Sequence, residues 1–304
     1  MAELPAGVQR DHPLARFTTI RTGGSAELFA RVSTLAELEQ LMAWAGREGL
    51  DVGVVGSGSN LLVADAGVRG LVVKLDKELS KIELEGTRIN CGGGARLPSV
   101  SARAAQAGLT GIEFGVNIPG SVGGAVRMNA NAYGGELGRV LEWVDVVSPS
   151  GTARRGPDDL GFAYRRSNLG PGEIVARACF ALEPARTEEV KQTLAQMRSQ
   201  RKAAQPSGIK TFGSTFKNPA DPRAGGRTAG QLLEAAGARG LRIGGAGFSS
   251  KHANFVENHG EASTADVIAL MAEGRRLVKE QFGVELEPEV QVLGPVEIPS
   301  DWRS

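Results

Sequence analysis

Five short stretches of this chain carry residue types that can do chemistry. The densest is 115–136, GVNIPGSVGGAVRMNANAYGGE, with six glycines, one proline, three asparagines and little charge. Gly120, Gly123 and Gly124 let the backbone turn tightly and approach another group closely. Ser121 is placed to cap a short helix running through Ala125 and Met128. A turn that opens a helix presents free N–H groups and the positive end of the helix dipole, which suits a phosphate. A glycine-rich surface loop would have the same composition. The second stretch, Gly56-Ser57-Gly58-Ser59-Asn60, follows a predicted strand over 51–55. Its alternating glycines and serine hydroxyls suit a pyrophosphate. No GK[ST] follows, and Asn60-Leu61-Leu62 leads into strand rather than helix, so neither a Walker loop nor a GxGxxG fingerprint is present. One bound dinucleotide would explain both turns together. A glycine-rich hairpin is the simpler alternative for 56–60.

The other three stretches carry the reactive side chains. Tyr164-Arg165-Arg166-Ser167 offers guanidinium forks suited to a carboxylate or oxyanion; a solvated loop with an arginine stacked on Tyr164 would look the same. In Gly213-Ser214-Thr215-Phe216-Lys217-Asn218-Pro219, Ser214 has no GxSxG elbow and no base beside it in sequence, which argues against a hydrolase nucleophile. Its hydroxyl can still pass a proton to a basic carbanion, although a hairpin turning at Asn218-Pro219 is the plainer reading. Glu287 and Glu289 flank Pro288 in a predicted strand over 284–293, on one face. A carboxylate there can stabilise charge or relay a proton; a charged, proline-protected edge strand is the alternative. His12, His252 and His259 fall in no HxxxH or HExxH pattern, so no metal site is expected, and His252 is read as structural.

Composition narrows the class. The chain has 304 residues, enough for two domains. Its 35 Lys and Arg against 34 Asp and Glu give no basic field for nucleic acid or a membrane surface. Cys91 and Cys179 are far apart, which fits a reducing cytosol. No signal peptide or membrane span is expected, because Pro5, Asp11 and Pro13 interrupt the start and no long apolar run exists. A cytoplasmic location follows, and no protein partner is evident.

Around these motifs the periodicity predicts a strand over 26–32 and a helix from Ser33 or Thr34 to 48, with Leu35, Leu38, Leu41, Met42 and Ala45 on one face. Strands follow at 51–55, 61–63 and 71–75. A second set comprises strands 81–85 and 87–91, a helix over 98–107, and long strands over 140–149 and 174–183. Composition turns polar near 187, where Thr187 caps a helix to about 204, and a domain boundary is placed there. Helices over 229–236 and 264–282 and the strand over 284–293 complete the chain. Residues 1–20 read as irregular and 295–304 as a frayed tail.

In their order and spacing, GSGSNLLV, GIEFGVNIPGSVGGAVRMNANAYGGE, FAYRRS, GSTFKNP, AGQLLEAAGARGLRIGGAGFSSKHANFVEN and LEPEV resemble the UDP-N-acetylenolpyruvoylglucosamine reductases of bacterial peptidoglycan synthesis, in their shorter form. The resemblance runs from about 18 to 293. It implies an α+β flavoprotein of the vanillyl-alcohol-oxidase or PCMH type. Two α/β lobes, about 16–80 and 81–186, would hold FAD non-covalently, and a C-terminal α/β domain over 187–294 would take the substrate. It implies FAD contacts at Gly56, Ser57, Gly58, Ser59, Asn60 and Leu61, and at Pro119, Gly120, Ser121, Gly123, Gly124 and Asn129. NADPH would supply hydride, and UDP-N-acetylglucosamine enolpyruvate would become UDP-N-acetylmuramate. Matched residue by residue, the family's arginine is Arg165, its proton-donating serine Ser214 and its C-terminal glutamate Glu289. Tyr164, Lys217 and Asn218 fall at the substrate, Asn218 at its diphosphate. Gln291 stands where the family often has arginine, and SGIKTFGS departs from a common PSAGS; both bear on substrate affinity more than on chemistry. Two other readings remain. Another PCMH-type flavin oxidase often carries a His or Cys near the first glycine turn for covalent flavin attachment, and none stands here. A non-catalytic nucleotide-binding module need not keep Ser214, Arg165 and Glu289 together.

Overall fold

A computed structural model describes residues 4–206, 208–296, 298, 299 and 302. They form two compact units. The first takes in residues up to 12, 26–57 and 69–201; the second takes in 13–25, 58–68 and the chain from 202 onward. Both mix helix and strand, as an α+β chain should. Among the described residues no helix is long and apolar enough to cross a membrane.

The first unit holds two larger sheets and two two-stranded ones. In one, the strand order is Val8–Pro13, Ser25–Val32, Val68–Leu75, Val52–Val54, and the last two run parallel. Helix α1 (Leu35–Arg47) begins at Thr34, whose hydroxyl accepts the Glu37 N–H, and buries Leu38, Leu41, Met42 and Ala45. Strand Val8–Pro13 corrects the irregular reading of 1–20. Its VQRDHP sequence has no apolar alternation, so only its place at a sheet edge reveals it. The other sheet is antiparallel, ordered Gly151–Arg155, Leu141–Ser148, Ile174–Ala181, Arg88–Gly92, Ile82–Glu85. Its edge strand, GTARR, is polar and largely exposed, and so gave no hydrophobic signal.

Helices α2 (Leu97–Gln106) and α3 (Val122–Arg127) cover this sheet, with Val100, Val122, Val126, Phe114 and Phe180 in one core. The glycines at 92–94 explain how α3 gets close. Gly93 donates to the Ala176 carbonyl at 2.7 Å and accepts the Gly123 N–H at 2.8 Å. A Cβ on Gly93 would lie 1.8 Å from the Val175 carbonyl oxygen. Helix α4 (Thr187–Ala204) sets Val190 and Leu194 against Ala105 and Val116, so packing divides the chain after 201 whereas composition changes near 187.

In the second unit, a small sheet of Arg242–Ile243, Ala246–Phe248 and Val256–Asn258 packs with helices α5 (Ala229–Ala235) and α6 (Thr264–Phe282). Both helices open with capping boxes, at Thr228 and Ser263. The long strand predicted over 284–293 is cut down to Gln291–Leu293, which pairs in parallel with Leu61–Val63. Pro288, lacking an N–H, leaves only an isolated bridge to Phe216. The frayed tail is also corrected where it is described: Trp302 is 4% exposed in the core and Arg275 lies over its ring. Residues 297, 300, 301, 303 and 304 of that tail, and Ser207 at the predicted end of α4, lie outside the described residues.

Gly93→Ala would force a methyl onto backbone that cannot yield. We expect a loss of about 3 kcal/mol in urea unfolding of the holoprotein, at the upper end for overpacking; an unchanged midpoint would refute this account of the glycine triplet.

Candidate active site

The two glycine turns meet, in part, in the first unit. A Cβ on Gly56 would lie 2.2 Å from Ser121 Oγ. The second turn is stitched to the segment before α2: Leu97 N–H donates to Gly120 and Val122 N–H to Ala95, at 3.0 and 2.8 Å. Ser121 caps α3 as expected, accepting the Gly124 N–H at 3.4 Å. The reading of α3 as an anion cradle needs correction, however. The N–H groups of Val122, Gly123 and Gly124 go to Ala95, Gly93 and Ser121 within the protein. What survives is the close approach of the two turns, in which a Cβ on Gly56 would displace the Ser121 hydroxyl that caps α3. That contact fits a flat or anionic group laid against main chain.

The first turn divides between the units. Gly56 and Ser57 belong to the first, and Gly58, Ser59, Asn60 and Leu61 to the second. Gly58 has a left-handed φ of 64° and accepts the Thr19 N–H and hydroxyl, each at 3.0 Å. Asn60 is tied to the C-terminal motif. Its Nδ2 donates to the Glu289 carbonyl at 3.1 Å, and its own carbonyl accepts the Gln291 N–H at 3.1 Å. Its side chain therefore positions Glu289, a role its sequence context did not suggest.

Tyr164 and Arg165 form the tip of a tight turn closed by the reciprocal hydrogen bonds of Ala163 and Arg166, at 3.0 and 3.1 Å. Arg165 sits at φ 56°, which costs a non-glycine residue about 1–2 kcal/mol and marks a site held by its surroundings. Its Nη1 donates to the Asn131 carbonyl at 3.0 Å. Tyr164 is 48% exposed, and its ring centre lies 5.4 Å from the Arg165 guanidinium carbon. Asn129, matched to the cofactor by resemblance, is fully buried. Its Nδ2 donates to Glu136 and to the Ala163 carbonyl, and its Oδ1 accepts the Gly138 N–H. Its amide is thus spent bracing the arginine turn from behind. Arg127 at the end of α3 adds a second brace. It donates to the carbonyls of Leu169, Gly170 and Glu173, and its own carbonyl accepts the Ser167 hydroxyl at 2.8 Å. The Glu173 carboxylate locks that loop by accepting from Arg155 and from the Gly170 N–H. The Arg155 hydrogen bond holds its pKa below the usual 4.5.

Ser214, Lys217, Asn218, Glu287 and Glu289 come together in the second unit. Glu289 N–H donates to the Thr215 carbonyl at 2.8 Å, and Lys217 N–H to the Glu287 carbonyl at 2.9 Å. This short ladder places the Ser214 segment beside the glutamate segment. On its other side Asn254, buried, accepts the Thr215 and Phe216 N–H groups through its two oxygens and donates to the Phe216 carbonyl. Asn254 lies inside the SKHANFVEN motif, but nothing local showed that it would clamp the serine strand. Lys217 pairs with Glu287. Asn218, exposed, accepts the Ala229 N–H through its Oδ1 at 3.1 Å. Gln291 is exposed, its amide 3.5 Å from the Glu289 carbonyl. His252 is structural, accepting the Asn254 N–H and packing edge-on to Phe255.

Comparison with known proteins gives the family. UDP-N-acetylenolpyruvoylglucosamine reductase 2 of Symbiobacterium thermophilum is 42% identical over 292 residues, 95% of this chain and 93% of the relative. The chain belongs to the UDP-N-acetylenolpyruvoylglucosamine reductase family. The corresponding reductase of Rubrobacter xylanophilus is 42% identical over 93% of this chain and 94% of its own length. Residues 205–293 match the family's C-terminal domain, and residues 26–156 match an FAD binding domain. The crystal structure of the Thermus caldophilus UDP-N-acetylenolpyruvylglucosamine reductase superposes with a TM-score of 0.81 at 38% identity, covering 94% of this chain and 98% of that one. The fold is therefore the family's α+β, FAD-binding type, and FAD is the cofactor.

Gly56→Ala pushes a methyl onto Ser121 Oγ, so the purified variant should lose most of its flavin absorbance. Adding Ser121→Gly should recover part of it; no recovery would show that the two residues do not share one contact. A second expectation concerns pH. Because the folded-state pKa of Glu173 is depressed, its stabilisation is complete above 4.5 and fades as pH falls through the folded value. Glu173→Gln should lower stability near neutrality and flatten the acid limb, read as unfolding midpoints across pH.

Proposed function

We propose that the protein reduces the enolpyruvyl group of UDP-N-acetylglucosamine enolpyruvate with NADPH, giving UDP-N-acetylmuramate. The work would be done in the cytoplasm, on a UDP-sugar and NADPH, and would supply peptidoglycan precursor for wall growth, cell shape and division. The observation that carries this reading is the ladder between the segment of Ser214 and that of Glu289, in a chain 42% identical to a reductase of that name over 95% of its length.

FAD, once bound, would supply the hydride chemistry that connects NADPH to C3 of the enolpyruvyl double bond. The chain's residues deal with the charge and proton that follow. Hydride at C3 places negative charge on C2 and its carboxylate. Arg165, held by Asn131 and braced by Asn129, meets that charge with a guanidinium whose direction is already set. Glu289, anchored through its main chain to Thr215 and Asn60, contributes a carboxyl to the same charge. Ser214 delivers the proton to C2, which completes addition of one hydride and one proton across the double bond. Asn218 and Lys217 suit the diphosphate: one has an exposed amide, the other an ammonium held by Glu287. Tyr164 flanks the arginine where an exposed ring can pack on the sugar nucleotide. Gly56, Ser57, Gly58, Ser59, Asn60 and Leu61, with Pro119, Gly120, Ser121, Gly123 and Gly124, line the cofactor by backbone approach.

Ser214→Ala separates the steps. NADPH should still bleach the flavin at the wild-type rate, while reoxidation by the enolpyruvyl substrate should slow by about 10²–10⁴-fold, as for loss of a general acid. Double-mixing stopped flow at the flavin absorbance reads both; equal slowing of the two steps would remove Ser214 from the proton step.

A further inference from the structure

We propose that Lys74 is a positioning residue for the cofactor's pyrophosphate, acting through the peptide that joins Gly56 to Ser57. Lys74 lies in the strand Val68–Leu75, one residue beyond Val73, whose carbonyl accepts the Val55 N–H at 2.9 Å. That pairing delivers the chain to Gly56 within reach of the lysine. The Lys74 ammonium donates to the Gly56 carbonyl at 2.8 Å, in a partly buried setting.

The consequence lies on the other side of the peptide. In a trans peptide the carbonyl and the following N–H point in opposite directions, and no cis peptide bond occurs among the described residues. With the Gly56 oxygen turned to Lys74, the Ser57 N–H is turned away from it. A cation on a carbonyl oxygen also polarises the amide and strengthens the N–H as a donor. Ser121 Oγ, against the Gly56 Cα, limits the turn from a second direction. Gly56 is thus gripped at its oxygen and at its α-carbon, and the Ser57 N–H is aimed. A free carbonyl could swing and present its negative end to the anion instead.

Burying an ammonium is costly. Desolvation lowers the Lys74 pKa, Arg31 adds to that, and Asp76 opposes it while pairing with Arg31 at 3.3 Å. A methionine would fill this place on the strand without that cost. At the turn that charge meets the Gly56 carbonyl.

This inference rests on the reading that Gly56 and Ser57 face the pyrophosphate. The test uses the full chain stripped of flavin and titrated with FAD or riboflavin, which lacks the pyrophosphate, by flavin fluorescence. Wild-type protein should prefer FAD. Lys74→Met should weaken FAD binding by about 10- to 100-fold, the range for a charge-assisted contact, with riboflavin binding and the thermal midpoint unchanged. Lys74→Gln, which keeps a donor without the charge, should fall between and covers the case in which the methionine variant does not fold. FAD affinity unchanged in both variants overturns the role of Lys74 while leaving the turn's assignment standing. Parallel loss of FAD and riboflavin with a lowered midpoint overturns it in favour of a structural role. A wild-type protein that binds riboflavin as tightly as FAD overturns the assignment of the turn itself.

Discussion

The approach of Gly56 to Ser121 is the constraint around which the first unit is arranged. A side chain at residue 56 would displace the Ser121 hydroxyl from its cap, and the approach needs two separate sheets to deliver their loops to one place. The parallel pair Val52–Val54 and Val68–Leu75 delivers the first loop. The glycine triplet at 92–94 and the sheet beneath it let α3 come close enough to deliver the second. The hydrogen bonds of α3 are used to hold that position, so its first turn is fixed by the protein before any ligand arrives.

A second pattern is the use of buried amides to hold irregular backbone. The segments with reactive groups are not regular strands or helices, so their N–H and C=O groups need other partners. Asn129 supports the turn of Arg165, Asn254 clamps the strand of Ser214, and Asn60 grips the main chain of Glu289. Each spends its amide on the backbone behind the reactive residue. Such sites are rigid without belonging to a long element, which suits groups that must meet a developing charge in a fixed place.

Much of this was legible in the sequence. The cap at Thr34, the Ser121 cap and helices near 229 and 264 all followed from local rules, because each depends on residues within a turn of one another. The polar edge strands Val8–Pro13 and Gly151–Arg155 did not, since their partners supply the pattern they lack. Pro288 broke a strand that apolar alternation alone extended through it. At the site, the reactive residue types were visible as motifs. The braces were not: Asn129, Asn254, Asn60 and Lys74 act on segments remote in sequence, and their residue types are ordinary ones until the fold supplies the partner. The family resemblance supplied the chemical roles, and the structure supplied the reasons for the surrounding residues.

In this reductase, hydride from NADPH must end on the enolpyruvyl sugar nucleotide. The most direct measurement is NADPH oxidation by the flavin-loaded protein without oxygen, with and without UDP-N-acetylglucosamine enolpyruvate, with the sugar nucleotide then weighed by mass spectrometry. Oxidation should stop when the acceptor is exhausted, leaving a product heavier by two hydrogens. NADPH consumed only when oxygen is admitted, with the sugar nucleotide unchanged in mass, would contradict it and point to an oxidase.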